Sequence, residues 1–167
     1  MAHVDNYQAK LNSYEAEKDP LQIQAETPSL IATLVKGVPD TKLSQRPFPE
    51  NWAVKEIIAH LAEDELATSW RYRQMIEKNG CALASFDQDQ WARLGNYLSW
   101  KLADALDMFR LLRDANLRML RNLSVGEWER FGVHAERGRI SVRDLARHMA
   151  GHDMNHVDQI RSILAKS

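Results

Sequence analysis

Two histidines four residues apart, His152 and His156, lie in the segment S-V-R-D-L-A-R-H-M-A-G-H-D-M-N-H-V-D-Q-I, which begins at Ser141. On a helix this spacing stacks both imidazoles on one face, a turn apart, where both reach one metal ion. A third histidine, His60, falls in a separate helical segment, E-I-I-A-H-L-A-E-D-E. Together the three suggest a site between helices. Three neutral imidazoles fill only part of a divalent ion's coordination, which leaves a position for water or substrate.

The last helix shows why the pair should point inward. Its apolar stripe is Val142, Leu145, Met149, His152, His156, Ile160 and Ile163, at helical spacing throughout. Burying two imidazoles without partners would cost ~1–3 kcal/mol each, so a metal or a polar network must supply them. His148 lies at i−4 from His152 but at the edge of the stripe, about 12 Å along the axis from His156. One ion cannot take all three, and the stripe favours His152 and His156. His60 shares a flank with Ala53, Asp64, Ala67 and Arg71, where a hydrogen-bonded structural histidine is the competing assignment. His3 and His134 are expected in loops or at the surface, with His134 in a position to overhang a cleft.

Asp64, at i+4 from His60, is the candidate base or the carboxylate behind a ligand; a solvated helix carboxylate is the competing assignment. No H-E-x-x-H occurs, because Asp153 follows His152.

These residues need helices to position them, and helical spacing dominates the chain while strand signals are nearly absent. The pattern predicts helices over about 20–37, 52–78, 88–121 and 142–165, with Pro28 kinking or resetting the first. The apolar stripe of the second is Val54, Ile57, Ile58, Leu61, Leu66 and Met75. Asp87 with Gln90, Ser124 with Glu127 and Ser141 with Asp144 read as helix starts. The stretch F-G-V-H-A-E-R-G-R reads as a loop. The predicted fold is all-α: an antiparallel four-helix bundle with short additional helical segments, preceded by a polar lead-in over 1–19 and forming one domain over 20–167.

Composition sets the remaining bounds. The chain has 167 residues, 44% apolar and 27% charged, with a net charge of −1. No basic run or aromatic-basic stripe points to nucleic acid. No apolar run is long enough for a membrane span, and no leader-like apolar segment opens the chain, so a cytoplasmic protein is expected. The single Cys81 excludes an intrachain disulfide and gives no thiolate metal motif. Five tryptophans are more than a domain of this size needs, which admits an aromatic-lined pocket.

Four segments carry a resemblance: N-W-A-V-K-E-I-I-A-H-L-A-E-D-E at 51–65, F-D-Q-D-Q-W at 86–91, G-V-H-A-E-R-G-R-I-S at 132–141 and H-M-A-G-H-D-M-N-H-V-D-Q-I at 148–160. Through them the chain, over about 20–165, resembles the DinB-like superfamily of four-helix-bundle metalloproteins. The resemblance implies His60, His152 and His156 as ligands of a divalent metal, zinc or nickel. It implies a metal-dependent enzyme acting on a small molecule: a transferase using a low-molecular-weight thiol, or a hydrolase. A non-catalytic, stress-related metal-binding protein is the alternative. A homodimer is also implied. The family often places Ser or Thr after the tryptophan; here Ala53 stands there, so Asn51 is expected to cap that helix instead.

Overall fold

The computed structural model describes residues 19–166. The lead-in expected over 1–19 therefore lies, apart from Asp19, outside the described residues. Four long helices build the bundle: α1 (Pro20–Val35), α3 (Val54–Glu77), α5 (Leu102–Arg121) and α7 (Val142–Ala165). Three shorter ones, α2 (Asp40–Leu43), α4 (Gln88–Leu94) and α6 (Val125–Trp128), sit in the connections. Of the described residues, 69% are helical. No described helix is long and apolar enough to cross a membrane.

Side-chain partners fix the directions. His60 meets His156, Asp64 approaches His152 and Thr68 meets Met149, so α3 and α7 run antiparallel. Gln24 reaches Ala146, while Ile31 and Val35 share a core cluster with Val157 and Ile160, so α1 and α7 run the same way. Ile57 and Ile58 cluster with Ala105 and Phe109, and Tyr72 and Met75 with Leu120, so α3 and α5 also run together. Two helices point each way. The chain must consequently return along the bundle between α3 and α5.

That return breaks the helix expected over 88–121. The chain leaves α4 at Gly95, passes through Asn96 at φ 45°, makes a 3-10 turn over Tyr97–Ser99 and only then enters α5. A Cβ on Gly95 would lie 2.9 Å from the Tyr97 ring, and the Trp100 indole N–H donates to the Gly95 carbonyl at 2.9 Å. Tyr97 and Trp100 pack there with Ala59 of α3. Packing against the bundle, which the periodicity does not register, overrides propensity.

The stretch read as a loop is a hairpin. Strands β2 (Phe131–His134) and β3 (Gly138–Ser141) pair antiparallel, with Gly138 at φ 69° opening β3 directly after the turn, and β1 (Cys81–Leu83) pairs parallel with β2. Strands of three or four residues are too short to show alternation. Cys81 is buried in β1, a free thiol.

Helix starts follow their caps. Ser141 and Asp144 bond reciprocally at the start of α7, as Ser124 and Glu127 do for α6, and Asp87 accepts from the Gln90 N–H at α4. At α3 the N-cap is Ala53, not Asn51: the Glu56 carboxylate accepts from the Ala53 N–H at 2.9 Å and is itself held by Arg46. Leu66, expected in the α3 stripe, is 48% exposed. Pro28 does not reset α1. It lacks the N–H that would bond the Gln24 carbonyl, and the Arg113 guanidinium donates to that oxygen at 2.8 Å instead.

Candidate metal centre

His60 on α3 and His152 and His156 on α7 are all buried and converge between the two helices. The Nε2 of His152 lies 3.2 Å from that of His60 and 3.1 Å from that of His156. A tetrahedral site with metal–nitrogen bonds of ~2.0–2.1 Å has a nitrogen–nitrogen edge of about 3.3 Å. Three donor atoms within 4.8 Å of one another, at these spacings, fit one small divalent ion.

The protonation states suit that role. Burial lowers the His60 pKa to about 3, with His156 adding to the effect. Burial also takes His152 well below its ordinary value, followed by the charges of His156 and His60. Neutral imidazoles keep their lone pairs available. The Nδ1 of His156 faces the side-chain oxygen of Gln159 at 2.9 Å, so its hydrogen sits on Nδ1 and Nε2 is left as the donor to a metal. His60 is held from the side by Trp52, its ring 4.9 Å away.

Asp64 stands behind His152. Its Oδ2 is 3.6 Å from the His152 Nδ1, which is buried without a hydrogen bond to any described residue. Burial raises the Asp64 pKa to about 7, assisted by Glu65 and opposed by Arg71. The neighbouring Glu63 is used elsewhere, accepting from the Tyr97 hydroxyl at 2.6 Å.

His148 remains apart from the cluster. Its ring stacks 6.2 Å from that of His152, with Nδ1 buried and unpartnered among the described residues. His134, expected at the surface, is buried in β2 and lines a cleft beside His152.

Sequence reasoning missed the network that fixes the triad. Arg113, fully buried on α5, donates to both Asp153 oxygens at 2.5 and 3.0 Å, to Glu65 at 2.8 Å and to the Gln24 carbonyl at 2.8 Å. Asn116 donates to Glu65 as well, at 2.8 Å. Asp153 follows His152 and Glu65 follows Asp64, so one guanidinium ties the backbone at the site to all four long helices. The available signal was an arginine and an asparagine inside the apolar stripe Ala105, Phe109, Leu117, Leu120 of α5.

Comparison with known proteins agrees with this architecture. The family model of the DinB superfamily matches residues 25–160. Two relatives each carry the name "Putative metal-dependent hydrolase". One, from Oceanobacillus iheyensis, is 25% identical over 138 residues, covering 83% of this chain and 80% of its own. The other, YfiT of Bacillus subtilis, is 21% identical over 165 residues, covering 96% and 91%. The solved structure of YfiT, described as a four-helix bundle of unusual topology, superposes with a TM-score of 0.83 at 18% identity, over 88% of this chain and 85% of that one. A mycothiol-dependent maleylpyruvate isomerase superposes with a TM-score of 0.62 at 12% identity, over 83% of this chain and 56% of that one, a likeness of fold alone.

Proposed function

The chain belongs to the DinB superfamily, and on that premise we propose that it is a metal-dependent enzyme whose divalent ion is held by His60, His152 and His156. The convergence of three buried imidazoles carries this proposal: the His152 Nε2 lies 3.1–3.2 Å from the Nε2 of each of the other two, and all three donor atoms lie within 4.8 Å of one another. A divalent ion on three neutral imidazoles supplies Lewis acidity toward a water, a thiol or a substrate oxygen. Zinc or nickel suits such nitrogen donors.

The chain's own groups do the rest. Gln159 fixes the His156 tautomer, Trp52 fixes the His60 ring, and Asp64 faces the Nδ1 side of His152. A buried carboxyl with a pKa of about 7 is suited to take or give a proton near neutrality, which makes Asp64 the proposed general acid–base group.

The relatives' names favour hydrolysis of a small molecule as the first reading. The superposition on a thiol-dependent isomerase favours a second, in which a low-molecular-weight thiol is cosubstrate; the chain's own Cys81 is buried in β1 and is not among the residues that converge at the triad. A homodimer is part of the proposal. Sedimentation at micromolar concentration giving only monomer would remove it.

The test is metal analysis followed by an activity screen on simple esters and amides, with and without thiol cosubstrates. Wild-type protein should hold about one ion per chain. His156→Ala should abolish metal and turnover, while His148→Ala should keep the metal. Turnover without thiol supports hydrolysis, and turnover that requires thiol supports the transferase. Equal metal loss in the two variants would show that the wrong pair had been chosen. No turnover from fully loaded protein across the panel would leave a metal-binding protein instead of an enzyme.

A further inference from the structure

A cleft of ≈ 210 Å³ opens beside His152 and Asp64, and its lining gathers cationic and hydrogen-bonding groups: Arg71 of α3, His134 of β2, Arg137 of the β2–β3 turn and His148 of α7. Arg71 is anchored but not used up. Its Nη2 donates to the Ala84 carbonyl at 2.6 Å and its guanidinium lies 5.2 Å from the centre of the Phe86 ring. Its Nε and Nη1 make no hydrogen bond to any described residue. Arg137 comes near enough for the two guanidiniums to oppose each other's charge, and both oppose protonation of His134 and of His148. Two acids also line the cleft, Asp64 and Glu136, of which Asp64 faces His152.

The remaining polar groups are set as donors. The Nδ1 of His134 accepts from the Glu136 N–H at 3.2 Å, so the ring hydrogen sits on Nε2, 3.3 Å from Ser85 Oγ. His134 in this tautomer donates to Ser85 and cannot deprotonate it, which removes a serine–histidine nucleophile from consideration. It leaves the Ser85 hydroxyl hydrogen available to a ligand.

Like charges facing one cleft oppose each other unless an anion sits among them. The planar fork of arginine matches carboxylate and phosphate oxygens in pairs. We propose that the cleft is an oxyanion subsite, in which Arg71 and Arg137 hold a carboxylate or phosphate group of the substrate beside the histidine triad. As part of a reaction the subsite rests on the metal-dependent reading above; as a binding site it stands without it.

The experiment is calorimetric titration of metal-stripped protein with inorganic phosphate and with malonate, alongside the metal stoichiometry that portions of the same preparations reach on reloading. Wild type and His156→Ala should bind at least one probe equally well. Arg71→Gln and Arg137→Gln should each weaken it about ten-fold or more, the effect of removing one charged donor from a bound anion, with metal stoichiometry unchanged. Arg71→Gln also loses the bond to Ala84, so Arg137→Gln, on an exposed turn, decides the matter should the first variant not fold. Three results would overturn the subsite: no binding of either probe to wild type at millimolar concentration, equal binding by Arg137→Gln, or loss of binding in His156→Ala. A wild type that takes up no metal sinks the triad reading alone, and the titration still decides the subsite.

Discussion

Replacing Arg113 by Met tests whether the buried network holds the bundle and the site together. Met matches the length of the arginine stem, so the change removes charge and donors more than volume. It strips four hydrogen bonds, three of them to the Glu65 and Asp153 carboxylates. Both carboxylates are almost wholly buried, at 1% and 0% exposure. Removing one partner of such an arrangement costs about 3–5 kcal/mol, because the other charges stay buried and uncompensated. Domains of this size have about 5–15 kcal/mol in total, so the variant should fold with little stability left. The loss must also depend on pH. Burial already raises the Asp153 pKa against the opposing charge of Arg113, and without that charge the folded state binds still more protons than the unfolded chain, so the variant's stability falls as pH rises above ~4. Urea unfolding of wild type and variant without metal, at pH 5.5 and pH 8, should give the larger difference at pH 8. A difference under about 1 kcal/mol, or one equal at both pH values, would refute the reasoning.

Asp64→Asn should weaken metal binding about 10- to 100-fold, as loss of a carboxylate behind a histidine ligand does, and at saturating metal should remove the limb of the pH–rate profile near 7. An unchanged profile would leave Asp64 a bystander. Stability of the metal-free protein should fall on acidification. The folded pKa of His60 is about 3 and that of His148 about 4, against ~6.5 when unfolded, so below 6.5 the unfolded chain binds protons that the folded one does not. Asp64 opposes this trend between ~4 and 7, and the histidines outweigh it; urea midpoints that stay level from pH 7.5 to 4.5 would contradict the burial of the triad. Gly132→Ala places a methyl 2.5 Å from the buried Leu83 side chain and should cost about 1–3 kcal/mol, with Leu83→Ala in the same chain relieving the clash; thermal unfolding of the single and double variants decides it.

What the sequence disclosed divides along physical lines. Local signals survived folding: the Ser141 and Asp87 caps, the α7 stripe and the two inward histidines are all properties of one helix and its neighbouring residues. Terms that depend on distant partners did not. Asn96 takes its left-handed backbone where the chain turns back along α3, β1 pairs with a strand some fifty residues later, and Arg113 is buried only because Glu65, Asp153 and Gln24 arrive from three other helices. Pro28 illustrates the boundary. Its missing N–H is plain in the sequence, while the guanidinium that answers it is visible only in three dimensions.

The triad draws its donors from two helices that the chain reaches 92 residues apart. An ion shared between them is therefore a removable cross-link closing a very long loop, the kind of closure that most restricts an unfolded chain. Its binding free energy is available only to the folded state, so the melting temperature should climb with free metal concentration until the site saturates. If the site holds a metal, a chain made faster than metal is supplied would spend more time open to proteases, separately from any reaction at the site.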